Sequence, residues 1–202
     1  MHKIEYIFPT PIYQETLKHR ITSRDIDFCK KIYPKTYANV GNLTSQNNYV
    51  LNERVFSNLK KELLKSVNTY FKEILSPKNK LIPYITQSWL NFTNENQFHQ
   101  THNHPNSIVS GVYYLNVSEG DNISFHQEQT RPPIYIPPEK YNLFNSRTWT
   151  FKISKGLLVL FPSSLLHSVN VRKGDKTRIS LAFNTFVKGT LGTNIDLDEL
   201  TL

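Results

Sequence analysis

Three histidines and one arginine carry most of the chemical information in this chain. His102-Asn103-His104-Pro105 is followed at a distance by His167, and Arg178-Ile179-Ser180 begins eleven residues after that. Side chains two apart on an extended strand point to the same face. His102 and His104 on one strand therefore present two imidazoles together, and a third from a partner strand completes a ligand set for a small redox-active divalent ion. Arg178 adds something a bare metal site does not require, a planar fork of donors that matches a carboxylate. Strand alternation sets Arg178, Ser180 and Asn184 on one face and Ile179, Leu181 and Phe183 on the other. An inward-facing guanidinium needs an anion, because an unpaired buried charge is costly. Ser180 and Tyr114 supply hydroxyl donors for the same anion. A metal beside a carboxylate clamp implies a centre that takes an acidic co-substrate.

Each part also has a plainer explanation. The pair His102 and His104, flanked by Gln97, Gln100 and Asn103, fits a solvated sheet edge. His167 follows the apolar run Gly156 to Pro162, which puts an imidazole at the mouth of a barrel or, equally, makes it a core histidine with one hydrogen bond. Glu128 is a candidate structural partner for Arg178.

The elements that must hold these residues fall into two halves. Thr22-Ser23-Arg24-Asp25 opens a short helix that Pro34 stops. A second helix is expected with Asn52 as N-cap and an apolar stripe of Phe56, Leu59, Leu63, Val67, Tyr70, Phe71 and Ile74, ended by Ser76-Pro77. From Ile82 the period changes to that of strands, expected over 85–92, 107–117, 157–161 and 179–187. Residues 121–149, with Pro132-Pro133 and Pro137-Pro138, read as a long loop or lid with one or two edge strands. Loops of this kind tend to carry function, and Arg131, Tyr135 and Arg147 are its candidate substrate contacts. The expected fold is α+β: a double-stranded β-helix, or jelly roll, with the N-terminal helices packed on one sheet. One domain over 1–202 is expected, with helical cover over 1–80, the jelly-roll core over 81–187 and a tail over 188–202.

Composition narrows the function classes. At 202 residues the chain suffices for one domain with a core of its own. No apolar run approaches the roughly 20 residues that span a bilayer, and Phe8-Pro9-Thr10-Pro11 replaces any signal-peptide stretch. The formal charge of +8 admits a nucleic-acid partner, but lysines 30, 60, 78, 140, 155 and 173 are scattered and form no basic arm, so that reading is not favoured. A single cysteine, Cys29, excludes an internal disulfide and fits a reducing cytoplasm.

The segments Ser88-Trp89-Leu90-Asn91, His102 to Ser107, Ser110 to Leu115, Gly156 to His167 and Arg178 to Asn184 resemble those of the Fe(II)- and 2-oxoglutarate-dependent dioxygenases. The likeness is greatest to the small oxygenases of phage and bacterial genomes, distant relatives of the prolyl hydroxylases, and it extends over most of the chain. It implies Fe(II), 2-oxoglutarate as co-substrate, O2, and, for a phage-encoded protein, the host cytoplasm. In that superfamily a His-x-Asp pair and a distal His bind iron, and an Arg-x-Ser holds the far carboxylate of 2-oxoglutarate. His102 and His167 match the ligands, Arg178 and Ser180 the clamp, and Tyr114 the tyrosine that assists it. Asn91 has the spacing of a co-substrate asparagine, and Asn184 shares the inward face of the Arg178 strand. The departure is His104, which stands where the carboxylate ligand normally does. Either the site uses three neutral histidines, or a carboxylate such as Asp121 or Glu128 reaches in. The three-histidine form is favoured because the spacing of two is fixed along a strand. Two other classes remain open: a cupin-like metal protein, and a metal-free jelly-roll module for binding or virion structure. Against the cupin, Ile108 and Val109 stand where its glutamate is expected, and it has no use for Arg178-x-Ser180. The substrate, whether peptidyl proline, nucleobase or metabolite, does not follow from the sequence.

Overall fold

The computed structural model describes residues 2–127, 134 and 136–202. Helix α1 follows β1 (Tyr13–Thr16) and spans Ser23–Ile32. It begins with a capping box: the Thr22 hydroxyl accepts from the Asp25 backbone N–H, and the Asp25 carboxylate accepts from the Thr22 backbone N–H. The strands β2 (Thr36–Ala38) and β3 (Leu43–Ser45) come next. Asn52 is not the cap of the second helix. The chain makes two 3-10 turns, Val50–Asn52 and Arg54–Phe56, with Glu53 extended between them, and only then enters α2, Ser57–Tyr70. The Asn52 side chain accepts from Lys60 Nζ instead of capping a backbone N–H. Most of the apolar stripe is as expected, with Phe56, Leu59, Leu63, Val67, Tyr70 and Phe71 all buried, but Ile74 is exposed, because α2 ends at Tyr70 and the chain passes into a π-helical turn over Phe71–Leu75.

Eight longer strands follow: β4 (Ile82–Thr93), β5 (His99–His102), β6 (Val109–Asn116), β7 (Asn122–His126), β8 (Thr148–Lys152), β9 (Leu157–Pro162), β10 (Leu166–Val169) and β11 (Arg178–Lys188). Together with β1, β2 and β3 they form two antiparallel sheets, a seven-stranded one in the order β1-β9-β6-β11-β4-β3-β2 and a four-stranded one in the order β5-β10-β7-β8. This is the expected α+β jelly roll. The first third was read as helices alone, yet β1, β2 and β3 all add to the large sheet; at three or four residues each they are too short to show a period. The segment 121–149, expected as a loop with one or two edge strands, holds β7 and the start of β8; β8 is at the sheet edge, but β7 is an interior strand between β10 and β8.

The strong alternation of β11 and β9 sorts the core into two layers. Leu158, Leu160, Leu181 and Phe183 join Leu59, Leu63 and Val67 of α2 between the large sheet and the helices. Leu157, Val159 and Phe161 face the other way, packing with Tyr114, Ile123 and Phe125 between the two sheets. Burying each such side chain contributes about 1.5–3 kcal/mol. The second layer is the smaller one because part of the space between the sheets is given to polar groups. No helix among the described residues is long and apolar enough to cross a membrane.

Gly111 on β6 shows how tightly the first layer closes. A Cβ there would overlap the Phe183 ring and the Leu160 side chain. Gly111→Ala is expected to destabilise the protein by about 1–3 kcal/mol through overpacking, read as a lowered urea midpoint with an unchanged slope.

Candidate active site

The three histidines converge. His102 ends β5 and pairs directly with His167 on β10, so their rings lie on one face with centroids 4.2 Å apart. The His104 ring lies 5.0 Å from each. One nitrogen from each of the three falls within 4.8 Å of the others, close enough to share one ion. The expected route differs in one respect. β5 stops at His102, so His104 lies beyond the strand, its backbone N–H donating to Ser163 O at 2.9 Å. Backbone carbonyls set two of the tautomers: His102 Nδ1 donates to Gln100 O at 2.8 Å and His167 Nδ1 to Leu165 O at 3.0 Å. Both therefore offer Nε2 as the free nitrogen, the second-sphere arrangement that orients metal-binding imidazoles.

Burial keeps these rings neutral. It pushes His104 and His167 down to about 3, with neighbouring imidazoles adding to the effect, and it lowers His102 as well. A neutral imidazole is the form that ligates a metal.

Arg178 lies across the same cavity and is almost fully enclosed, with 2% of its surface exposed. One terminal nitrogen donates to Thr93 Oγ1 at 3.2 Å and the other to Asn122 O at 3.4 Å, while Nε has no partner. Among the described residues no carboxylate forms an ion pair with it. Tyr114, Ser180 and Asn91 line the cavity with it, all buried. Asn184 does not: the β11 alternation holds from Arg178 to Ala182, but Asn184 accepts from Ser110 Oγ at 2.9 Å outside that lining. Asp121 is committed elsewhere, paired with the buried Arg172 at 3.0 Å and accepting from the Ser118 N–H. Glu128, Arg131 and Tyr135 lie outside the described residues. Arg147 is exposed and lines a separate cleft with Tyr6, Phe8, Phe144 and Trp149. Across the small sheet, His102 pairs with His167, His167 with Phe125 and Phe125 with Trp149, a single row leading from the histidines to that cleft.

One cavity residue was not anticipated. His99 stacks on His102 with ring centroids 4.3 Å apart. Three residues apart on a regular strand they would face oppositely. The register between β5 and β10 shifts between them, His102 opposing His167 but His99 opposing Val169. Such a bulge re-aims a side chain, and the sequence carries no sign of it.

Residues 87–184 match the sequence profile of a family described as "Putative 2OG-Fe(II) oxygenase". Over that segment, which holds the cavity's histidines and Arg178, the chain is similar to the 2OG-Fe(II) oxygenases. Solved structures agree on the fold. A prolyl-4-hydroxylase from Pseudomonas putida superposes with a TM-score of 0.58 at 12% identity, covering 87% of this chain and 92% of the other. HygX from Streptomyces hygroscopicus, with nickel, 2-oxoglutarate and hygromycin B bound, gives 0.56 at 11%, covering 87% and 82%. A 2OG-Fe(II) oxygenase family protein from Burkholderia pseudomallei gives 0.54 at 11%, covering 81% and 78%. No curated protein matches the sequence. The matched family is neither cupin-like nor a metal-free module. The phage side of the resemblance draws no support from these bacterial structures.

Fe(II) and 2-oxoglutarate are the cofactor and co-substrate of the matched family, and the donor sets of this chain fit both: neutral imidazoles for the metal, an unmatched guanidinium for the acid. The depressed histidines also set a pH dependence. In the unfolded chain these imidazoles take up protons below about 6.5, whereas in the folded protein His104 and His167 resist protonation until about 3. Stability of the metal-free protein is therefore complete above pH 6.5 and is lost as the pH falls from there towards 3. Urea melts of metal-free protein should show a lower midpoint at pH 5 than at pH 7.5, a difference that His104→Leu reduces.

Proposed function

We propose that this protein is an oxygenase that hydroxylates a C–H bond of its substrate, consuming O2 and 2-oxoglutarate and releasing succinate and CO2. His102, His104 and His167 hold the Fe(II); Arg178, Tyr114 and Ser180 receive the distal carboxylate, and Asn91 lies nearer the keto-acid end. One observation carries this reading: three converging neutral imidazoles share a cavity with a buried guanidinium that no carboxylate of the described chain neutralises. The bound iron and 2-oxoglutarate would supply the oxidising chemistry, coupling loss of CO2 from the acid to oxygen insertion.

The chain's own work is positioning, exclusion of water and charge balance. The carbonyls of Gln100 and Leu165 hold two imidazoles with Nε2 towards the site. Thr93 and Asn122 steady the Arg178 fork while leaving Nε for a ligand oxygen. Phe161, its ring 4.6 Å from that of His167, forms an apolar wall that keeps solvent from the ligand side. A three-imidazole centre is one unit more positive than the family's usual set with a carboxylate, and a dianionic co-substrate compensates for that.

Anaerobic addition of Fe(II) and 2-oxoglutarate should give the visible charge-transfer band of a chelated keto acid. Arg178→Ala removes a charge-assisted contact of about 1.5–3 kcal/mol, so 2-oxoglutarate affinity should fall roughly tenfold or more with metal still bound. Unchanged affinity would mean that the clamp lies elsewhere. His104→Ala should weaken Fe(II) binding by about tenfold or more, and His104→Asp, which restores the family's usual ligand, should retain it.

The cleft bounded by Phe144, Arg147 and Trp149 of the former loop segment is where we place the substrate, because the paired row ending in Trp149 joins it to the histidines. Trp149→Ala should leave uncoupled 2-oxoglutarate decarboxylation in place and lower coupled hydroxylation. Full coupled turnover in that variant would remove the cleft from substrate choice.

A further inference from the structure

We propose that His99 is a co-substrate-binding residue of this site, presenting an Nδ1–H donor whose tautomer Asn39 sets. The proposal rests on the reading that the cavity binds 2-oxoglutarate, and it concerns residues that neither the ligand set nor the clamp includes.

The donors and acceptors around His99 fix its tautomer. Asn39 lies between β2 and β3, and its Oδ1 accepts from the Val40 backbone N–H at 2.8 Å. A backbone N–H can only donate, so the amide orientation is determined and Nδ2 is the donor end. Its two hydrogens go to Thr44 Oγ1 at 3.4 Å and to His99 Nε2 at 3.3 Å. His99 Nε2 is thereby an acceptor, and the single proton of the neutral ring sits on Nδ1. No hydrogen bond to that Nδ1 occurs among the described residues, and the ring lines the cavity. It is not a fourth metal ligand: its ring lies nearly parallel over His102, at 28°, outside the converging nitrogens.

The same relay orients Asn91. Thr44, having accepted from Asn39, passes its one hydroxyl hydrogen to Asn91 Oδ1 at 3.1 Å, across the paired positions of β3 and β4. Asn91 therefore keeps its Nδ2 hydrogens for the cavity. The result is a wall made of donors: Arg178 Nε, Asn91 Nδ2 and His99 Nδ1–H. Three donors without an acceptor between them form a site for carboxylate oxygens, and the side chain that organises two of them, Asn39, stands behind the wall as a positioning residue.

Two substitutions at 99 separate this role from a merely structural one, because Asn places an amide N–H where Nδ1–H was and Gln does not. Titrating Fe(II)-loaded protein anaerobically with 2-oxoglutarate by calorimetry, we expect His99→Gln to bind about tenfold more weakly and His99→Asn to bind within about threefold of wild type. Metal affinity should be the same in all three. On zinc-loaded wild-type protein, nitrogen-15 NMR of the imidazoles should find His99 protonated at Nδ1, and Asn39→Leu should convert it to a mixture of tautomers. Wild-type protein that fails to bind 2-oxoglutarate overturns the reading of the cavity, and the role of His99 with it. Binding that survives His99→Gln undiminished, or a wild-type His99 protonated at Nε2, overturns the role of His99 alone.

Discussion

An uncompensated guanidinium buried between two sheets is the constraint around which this molecule is organised. Arg178 is 2% exposed, and its fork is only partly satisfied by Thr93 and Asn122. A cation so placed is destabilising in the protein by itself, since desolvation is not repaid by a fixed counter-charge. The cost is tolerable because β11 is paired with β4 along its length and with β6 from Ile179 to Asn184. The opposite face of that strand buries Ile179, Leu181 and Phe183 against the helices. Stability gained in one layer offsets a polar, ligand-ready surface in the other.

The histidines follow from the same division. His102 and His167 lie on strands of the small sheet, which faces the Arg178 surface across the cavity and contributes little apolar burial apart from Ile123 and Phe125. Enclosure keeps the imidazoles neutral and suited to a metal, and the short strands leave them joined by only a few backbone pairings. Metal binding would tie β5 to β10 at the point where the ladder is irregular. The site is therefore a closing element of the fold as well as a chemical centre.

Much of the site was legible because its chemistry depends on residue type and spacing. Arg178, Ser180, Tyr114 and Asn91 line one cavity with the three histidines, as strand alternation and the family resemblance implied. Asn184 keeps the right parity but lies too far along β11, where a bulge ends the regular register. Asp121 was a reasonable carboxylate candidate until its pairing with Arg172, fifty-one residues away, could be seen. The short strands of the first third are not legible in the sequence because three or four residues cannot display a period. β7 was hidden because its alternation is brief and its flanks are rich in turn residues.

What the sequence alone determined is the chemistry and the outline of the fold: the three imidazoles, the guanidinium, the helical stripe of α2 and the alternating strands that must pack beneath it. These are local properties, set by residue type and by the periods of 2.0 and 3.6. Only the tertiary structure decided which polar groups are free. His99 turns into the cavity because of a bulge defined by its partner strand. The orientation of Asn91 and the tautomer of His99 depend on Asn39 and Thr44, about fifty and sixty residues earlier in the chain. Hydrogen-bond direction is a property of pairs, and the pairs exist only once the strands have met.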